Sequence, residues 1–219
     1  MNKQIFVDKI RPPLRGLYAI TDGALISVHA LVSRVEQVLQ GGAALIQYRD
    51  KGLDVARREC EVRALLELCR QYQVPLIIND DVDLAQATGT DGVHLGREDP
   101  ALIYAREKLG PHAIIGVSCY NSLELALQAQ AGGADYVAFG AFFPSHTKPQ
   151  ARPADMNLLT QVKMQLHIPV AAIGGITPAR GAELIAAGAD LLAVVHGVFG
   201  QPDVLAAAQT YQQLFTSKG

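Results

Sequence analysis

No stretch of this sequence approaches the roughly 18 consecutive apolar residues of a membrane helix, and none of its glycines form a G-x-G pair. The opening residues, Met1-Asn2-Lys3-Gln4-Ile5-Phe6-Val7-Asp8-Lys9, hold no apolar block suited to a secretion signal, so a cytoplasmic protein with no membrane contact is expected. Cysteine is scarce. Cys60, Cys69 and Cys119 are an odd set with no C-x-x-C pair, which argues against a disulfide framework or a zinc cluster. Excess charge is lacking too: 19 Lys and Arg against 21 Asp and Glu give a net charge of −2. Such a balance excludes a non-specific nucleic-acid binder, whose affinity needs clustered cations. Small anionic ligands stay open. No Gly/Ser-rich linker interrupts the 219 residues, a length that one domain with a full core can use.

What is present is one repeating unit: a short apolar strand, a polar turn, an amphipathic helix, and a small-residue turn into the next strand. Gly41-Gly42-Ala43-Ala44, Gly132-Gly133-Ala134-Asp135 and Ala187-Gly188-Ala189-Asp190 each end a helical pattern and open an apolar run. Glycine suits a helix C-terminus that needs a positive φ. Eight strands are expected, at about 17–21, 44–48, 75–79, 92–95, 114–118, 136–140, 169–173 and 191–195. Helical periodicity is clearest over Ala56–Gln71, Ser122–Ala131 and Pro178–Ala187. Alternating strands and helices predict parallel βα units, and eight of them predict a single-domain (β/α)8 TIM barrel over residues 16–219, preceded by an N-terminal extension, 1–15. The competing doubly wound sheet usually carries G-x-G-x-x-G after its first strand, which is missing here.

In such a barrel ligands bind at the C-terminal ends of the strands. Those ends are polar here: Gln47-Tyr48-Arg49-Asp50-Lys51, Asn79-Asp80-Asp81, Gly96-Arg97-Glu98-Asp99-Pro100, Ser118-Cys119, Pro144-Ser145-His146-Thr147-Lys148-Pro149, Gly174-Gly175-Ile176-Thr177-Pro178 and His196-Gly197. Either Asp80 or Asp81 alone would serve as an ordinary helix cap. In this company the residues suggest two anion subsites. Asp80 and Asp99, on neighbouring strand ends, can hold a hard cation, with Arg49, Lys51 and Lys148 nearby. Magnesium takes one or two carboxylates together with water and phosphate oxygens, which suits a diphosphate. Ser145, Thr147, Gly175 and the Val195-His196 turn offer neutral donors for a monophosphate. Two phosphorylated ligands side by side imply a transferase with diphosphate as leaving group.

These segments, in this order and spacing from about Gly16 to Gly200, resemble thiamine-phosphate synthase. The resemblance implies joining of 4-amino-2-methyl-5-diphosphomethylpyrimidine to 4-methyl-5-(2-phosphoethyl)thiazole, giving thiamine monophosphate and diphosphate, with Mg²⁺ on Asp80 and Asp99. It further implies that the run Gln47, Tyr48, Arg49, Asp50, Lys51, together with Asn79, Ser118 and Lys148, meets the pyrimidine diphosphate. Arg49, Ser118 and Lys148 would then be the catalytic contacts. Ser145, His146, Thr147, Gly175, Val195 and His196 would surround the thiazole phosphate. The family mechanism is dissociative, so no general base is required. Two positions depart from the family pattern: Ser145 stands where threonine is usual, and His196 where serine is usual. Either the His196 ring or only its backbone N–H meets the phosphate. Two other readings are a thiazole tautomerase of the same barrel family, which should not need Asp80 and Asp99, and a non-catalytic phosphate-ligand-binding barrel. His94 and His112 are expected to be structural.

Overall fold

Parallel pairing closes eight strands into a ring in strict chain order, with the first strand hydrogen-bonded to the last. The computed structural model describes residues 14–96, 101–144 and 154–216. The order is β1 (Gly16–Ile20), α1 (Leu31–Gln40), β2 (Leu45–Tyr48), α2 (Val55–Gln71), β3 (Leu76–Asn79), α3 (Val82–Thr88), β4 (Gly92–Leu95) and α4 (Leu102–Leu109). It continues with β5 (Ile114–Tyr120), α5 (Leu123–Ala131), β6 (Tyr136–Gly140), α6 (Met156–Lys163), β7 (Val170–Ile173), α7 (Pro178–Ala186), β8 (Leu191–Val194), α8 (His196–Phe199) and α9 (Val204–Thr216). All eight expected strands are there, most within a residue of the predicted bounds. β5 runs two residues further, through a register shift between Ser118 and Tyr120.

A strand alternates its side chains between two faces, and here the two faces become two cores. Tyr18, Ile20, Leu45, Ile77, Ile114, Tyr136, Ala138 and Leu191 point inward and fill the barrel. Their neighbours Leu17, Ala19, Ile46, Leu76, Ile78, Val137, Phe139 and Leu192 point outward against the helices. Both faces are dry, which is why the strands read as continuous apolar runs rather than as alternation. Leu14 packs against the inward set. The rest of the predicted extension, residues 1–13, lies outside the described residues.

Glycine is required at the helix ends where sequence placed it. Gly42 and Gly133 both have φ of 88°, a left-handed backbone that other residues adopt at a cost of about 1–2 kcal/mol. Inside the barrel a different glycine matters. A Cβ on Gly116 would lie 2.0 Å from Cζ of Tyr136, so the bare backbone of β5 is what admits that phenol ring.

Candidate active site at the mouth of the barrel

The mouth is built from the ends of the strands, and β3 shows how the sequence divides its labour there. Asp81 is the cap of α3, accepting the Leu84 N–H at 2.9 Å, and it also pairs with Arg58 at 3.0 Å. Asp80 is held differently. Its backbone is left-handed, φ 64°, its N–H donates to the His94 carbonyl, and Asn79 Nδ2 lies 2.6 Å from its Oδ2. Gln73, Asp80 and Tyr120 are the non-glycine residues with positive φ among those described. Asp80 and Tyr120 follow or end strands at the mouth, and strain of this kind collects at functional sites.

The end of β2 splits by strand alternation. Gln47 turns inward; Tyr48 turns outward, and its hydroxyl donates to Glu61 of α2 at 2.5 Å. Burial, reinforced by that carboxylate, pushes the Tyr48 phenol well above its ordinary range. Arg49 is fixed by its backbone, whose N–H donates to Thr21 Oγ1 at 2.9 Å, while its guanidinium reaches Asp22 at 3.3 Å. Asp50 takes both oxygens to Arg57, at 3.0 and 3.1 Å, and Arg57 also meets Glu61 at 2.7 Å. The Arg57 guanidinium holds the Asp50 carboxyl below its usual range. Tyr48 and Asp50 thus brace the β2–α2 loop against α2, and together with Arg49, Thr21 and Asp22 they line one cavity of about 280 Å³.

Below the mouth the inward residues of five strands form one connected set. The Gln47 side-chain nitrogen meets the Tyr18 hydroxyl; Tyr18 and Tyr136 hydroxyls are 2.7 Å apart; Tyr136 lies 2.9 Å from His94 Nδ1; and His94 Nε2 lies 2.9 Å from Ser118 Oγ. Burial raises both phenols far above their ordinary titration range, so they are neutral hydroxyls at any physiological pH. His94 therefore has a place in the site that its sequence context did not reveal. So do Tyr18, Tyr136, Asp22, Arg57 and Glu61. The available signal was register: Tyr18, Gln47, His94 and Tyr136 are polar residues at inward positions of otherwise apolar strands.

On the other side, β7 runs into Gly174 and Gly175, with φ of 104° and 60°. A Cβ at Gly175 would lie 2.3 Å from the Pro144 carbonyl oxygen, so this turn lies flat against the segment after β6. Arg180 secures it, donating to the Gly175 carbonyl at 3.2 Å with its guanidinium 4.5 Å from the Phe143 ring centroid. Thr177 then caps α7 and Pro178 fills its first turn. After β8, Val195 leads directly into α8. Tyr211 of α9 donates to the Ile176 carbonyl at 2.8 Å and occupies the space a side chain at Gly197 would need. His196 is exposed, and its ring lies over Gly200, where a Cβ would come within 2.8 Å of Cδ2 and Nε2. Arg97, Asp99, Ser145, His146, Thr147 and Lys148 lie outside the described residues.

The sequence model of the family described as thiamine monophosphate synthase matches residues 17–198. The chain belongs to this family. It is 50% identical over 204 residues to the thiamine-phosphate synthase of Nitrosococcus oceani, covering 93% of this chain and 94% of that protein. It is 52% identical over 202 residues to that of Thioalkalivibrio sulfidiphilus, covering 92% and 96%. Among solved structures it resembles the thiamine phosphate pyrophosphorylase of Pyrococcus furiosus, with a TM-score of 0.82 and 36% identity over 92% of this chain and 95% of that one. In this thiamine monophosphate synthase family member Asn79 ends β3, Arg49, Asp80, Gly175 and Val195 follow the ends of β2, β3, β7 and β8, and Gln47 and Ser118 lie just inside β2 and β5, all toward the C-terminal side of one barrel.

Proposed function

We propose that the protein couples 4-amino-2-methyl-5-diphosphomethylpyrimidine to 4-methyl-5-(2-phosphoethyl)thiazole, forming thiamine monophosphate and releasing diphosphate. The observation that carries the reading is the single rim. Barrel closure brings the cationic end of β2, the acidic end of β3, Ser118 of β5 and the Gly174-Gly175 turn of β7 to one mouth. The C–O bond at the pyrimidinylmethyl carbon breaks, its electron pair leaves with diphosphate, and the thiazole nitrogen lone pair forms the new C–N bond. Nothing in that sequence needs a protein base; it needs stabilisation of leaving-group charge and exclusion of water. Arg49, Lys51 and Lys148 would bear the growing charge, Asn79 and Ser118 would hold the pyrimidine end, and Ser145, His146, Thr147, Gly175, Val195 and His196 would hold the thiazole phosphate.

Mg²⁺ would be held by Asp80 and Asp99. The fit rests on Asp80: a carboxylate presented by a left-handed backbone at the end of β3, while its neighbour Asp81 takes the capping and Arg58 contacts. Magnesium needs only one or two such oxygens besides water and phosphate, and when bound it neutralises diphosphate charge. A reducing cytoplasmic setting suits the cysteines: Cys60, Cys69 and Cys119 are all free, and burial pushes the thiols of Cys69 and Cys119 up to about 12.

Calorimetric titration tests the two subsites. The pyrimidine diphosphate should bind tightly only with Mg²⁺ present, and the thiazole phosphate equally well with or without it. Loss of that asymmetry would overturn the two-subsite reading. A tautomerase would convert thiazole phosphate alone to an isomer; no such conversion is expected.

A further inference from the structure

The chain of contacts beneath the mouth has a direction, and the direction has a chemical consequence. Each hydroxyl in it supplies one hydrogen, and a neutral imidazole supplies one donor and one acceptor. With the Gln47 amide nitrogen on the Tyr18 oxygen, Tyr18 gives its hydrogen to Tyr136, 2.7 Å away, in the one direction that also uses Tyr18's own hydrogen within the set. Tyr136 then gives its own to His94 Nδ1 at 2.9 Å. His94 must carry its proton on Nε2, which donates to Ser118 Oγ at 2.9 Å. The Ser118 oxygen is thereby used as an acceptor, and its hydrogen is free to point elsewhere. Turning the Gln47 amide over would reverse every link and leave Ser118 donating to histidine, with only acceptor capacity toward a ligand.

We infer that Tyr136 is a positioning residue: through the relay Gln47–Tyr18–Tyr136–His94–Ser118 it fixes the Nε2–H tautomer of His94 and aims the Ser118 hydroxyl hydrogen at a hydrogen-bond acceptor of the pyrimidine diphosphate. This rests on the reading that Ser118 meets that substrate. The relay is buried where it must be, Tyr136 at 0% and His94 at 8% exposure, so water does not compete for its links. Packing holds it as well. The His94 ring stacks on Tyr136 with centroids 5.5 Å apart, Tyr18 meets Tyr136 edge-on at 5.8 Å, and Gly116 leaves the space the Tyr136 ring occupies. Phenylalanine at position 136 would keep all of that packing and lose only the hydrogen bonds.

The test begins with the unaltered protein, free of ligand. Nitrogen NMR with ring-labelled histidine, the His94 signal being assigned by its loss in His94→Gln, should show the proton on Nε2 and a bare Nδ1. A proton on Nδ1, or on both nitrogens at neutral pH, overturns the relay whatever Ser118 does. Tyr136→Phe should then mix the His94 tautomers and lower kcat about tenfold, the loss of one well-placed hydrogen bond, with the KM for thiazole phosphate unchanged. In a Ser118→Ala background the same substitution should have almost no further effect. An unchanged tautomer and kcat in Tyr136→Phe, or a full tenfold loss added on top of Ser118→Ala, contradicts the inference. The two readings fail separately. Ser118→Ala with full activity would sink the substrate contact of Ser118, while the tautomer result alone decides the direction of the relay.

Discussion

Asp22 holds the guanidinium of Arg49 at 3.3 Å, so the cation assigned to the departing diphosphate already has a carboxylate beside it. Both side chains are about four-fifths buried, which keeps solvent from screening the pair fully. An incoming diphosphate must share or take over that guanidinium. Asp22→Asn keeps the side-chain oxygen that accepts the Ala24 N–H at 2.9 Å and removes only the charge. Taking one negative charge from beside an anion site favours the ligand by about 1 kcal/mol, so the KM for pyrimidine diphosphate should fall roughly fivefold. Steady-state kinetics at low ionic strength check it; a raised KM would mean that Asp22 orients Arg49 more than it competes for it.

Asp80 should be probed with asparagine rather than alanine. Its φ of 64° is one that asparagine tolerates and alanine resists, so Asp80→Asn isolates the charge from the backbone. Loss of a metal-binding carboxylate should remove several kcal/mol of transition-state stabilisation, at least a hundredfold in kcat. Excess Mg²⁺ should recover part of that loss. Circular dichroism and thermal midpoint should match the parent, and undiminished turnover at sub-saturating Mg²⁺ would contradict the assignment.

The Asp50–Arg57–Glu61 brace makes a prediction in pH. Asp50 titrates below its ordinary value because Arg57 favours its charged form, so its contribution to stability is present above the unfolded-state pKa of about 4. It fades as pH falls through the lower folded-state value. Asp50→Asn should therefore cost about 1 kcal/mol at pH 7, and the two proteins should converge as the pH drops below about 4. Denaturant melts at a series of pH values give the difference; a constant gap across that range would show that the ion pair is not its source.

Gly116→Ala tests the packing beneath the relay. The added Cβ would sit 2.0 Å from Cζ of Tyr136 and 2.3 Å from its hydroxyl oxygen, against a ring that is fully buried inside the barrel. Overpacking of this kind costs about 1–3 kcal/mol. The thermal midpoint should fall accordingly, and kcat should fall with it as the Tyr136 hydroxyl is driven off His94.

The parts that were legible in the sequence share a physical basis. β3 announced itself as Val74-Pro75-Leu76-Ile77-Ile78 because both faces of a barrel strand are dry, and the turns at Gly42 and Gly133 because a left-handed backbone nearly dictates the residue. The rim residues followed from the fold, since a barrel strand's C-terminal end is where polar side chains gather. What one-dimensional reading could not supply was register. Tyr48 and Gln47 are adjacent in sequence, yet one faces α2 and the other the barrel interior. Asp80 and Asp81 are equivalent as letters, and only the start of α3 tells the cap from its neighbour. His94, Tyr18 and Tyr136 lie 42 to 118 residues apart where they touch, a distance that local pattern does not span.

The central claim is that one mouth joins two phosphorylated substrates and expels diphosphate. Purified protein should be given the pyrimidine diphosphate and the thiazole phosphate with Mg²⁺, and diphosphate and thiamine monophosphate followed together over time. Both should appear in equal amounts, and omitting either substrate, or adding a chelator, should stop both. Diphosphate released at full rate without the thiazole phosphate, or undiminished product in chelator, would contradict it.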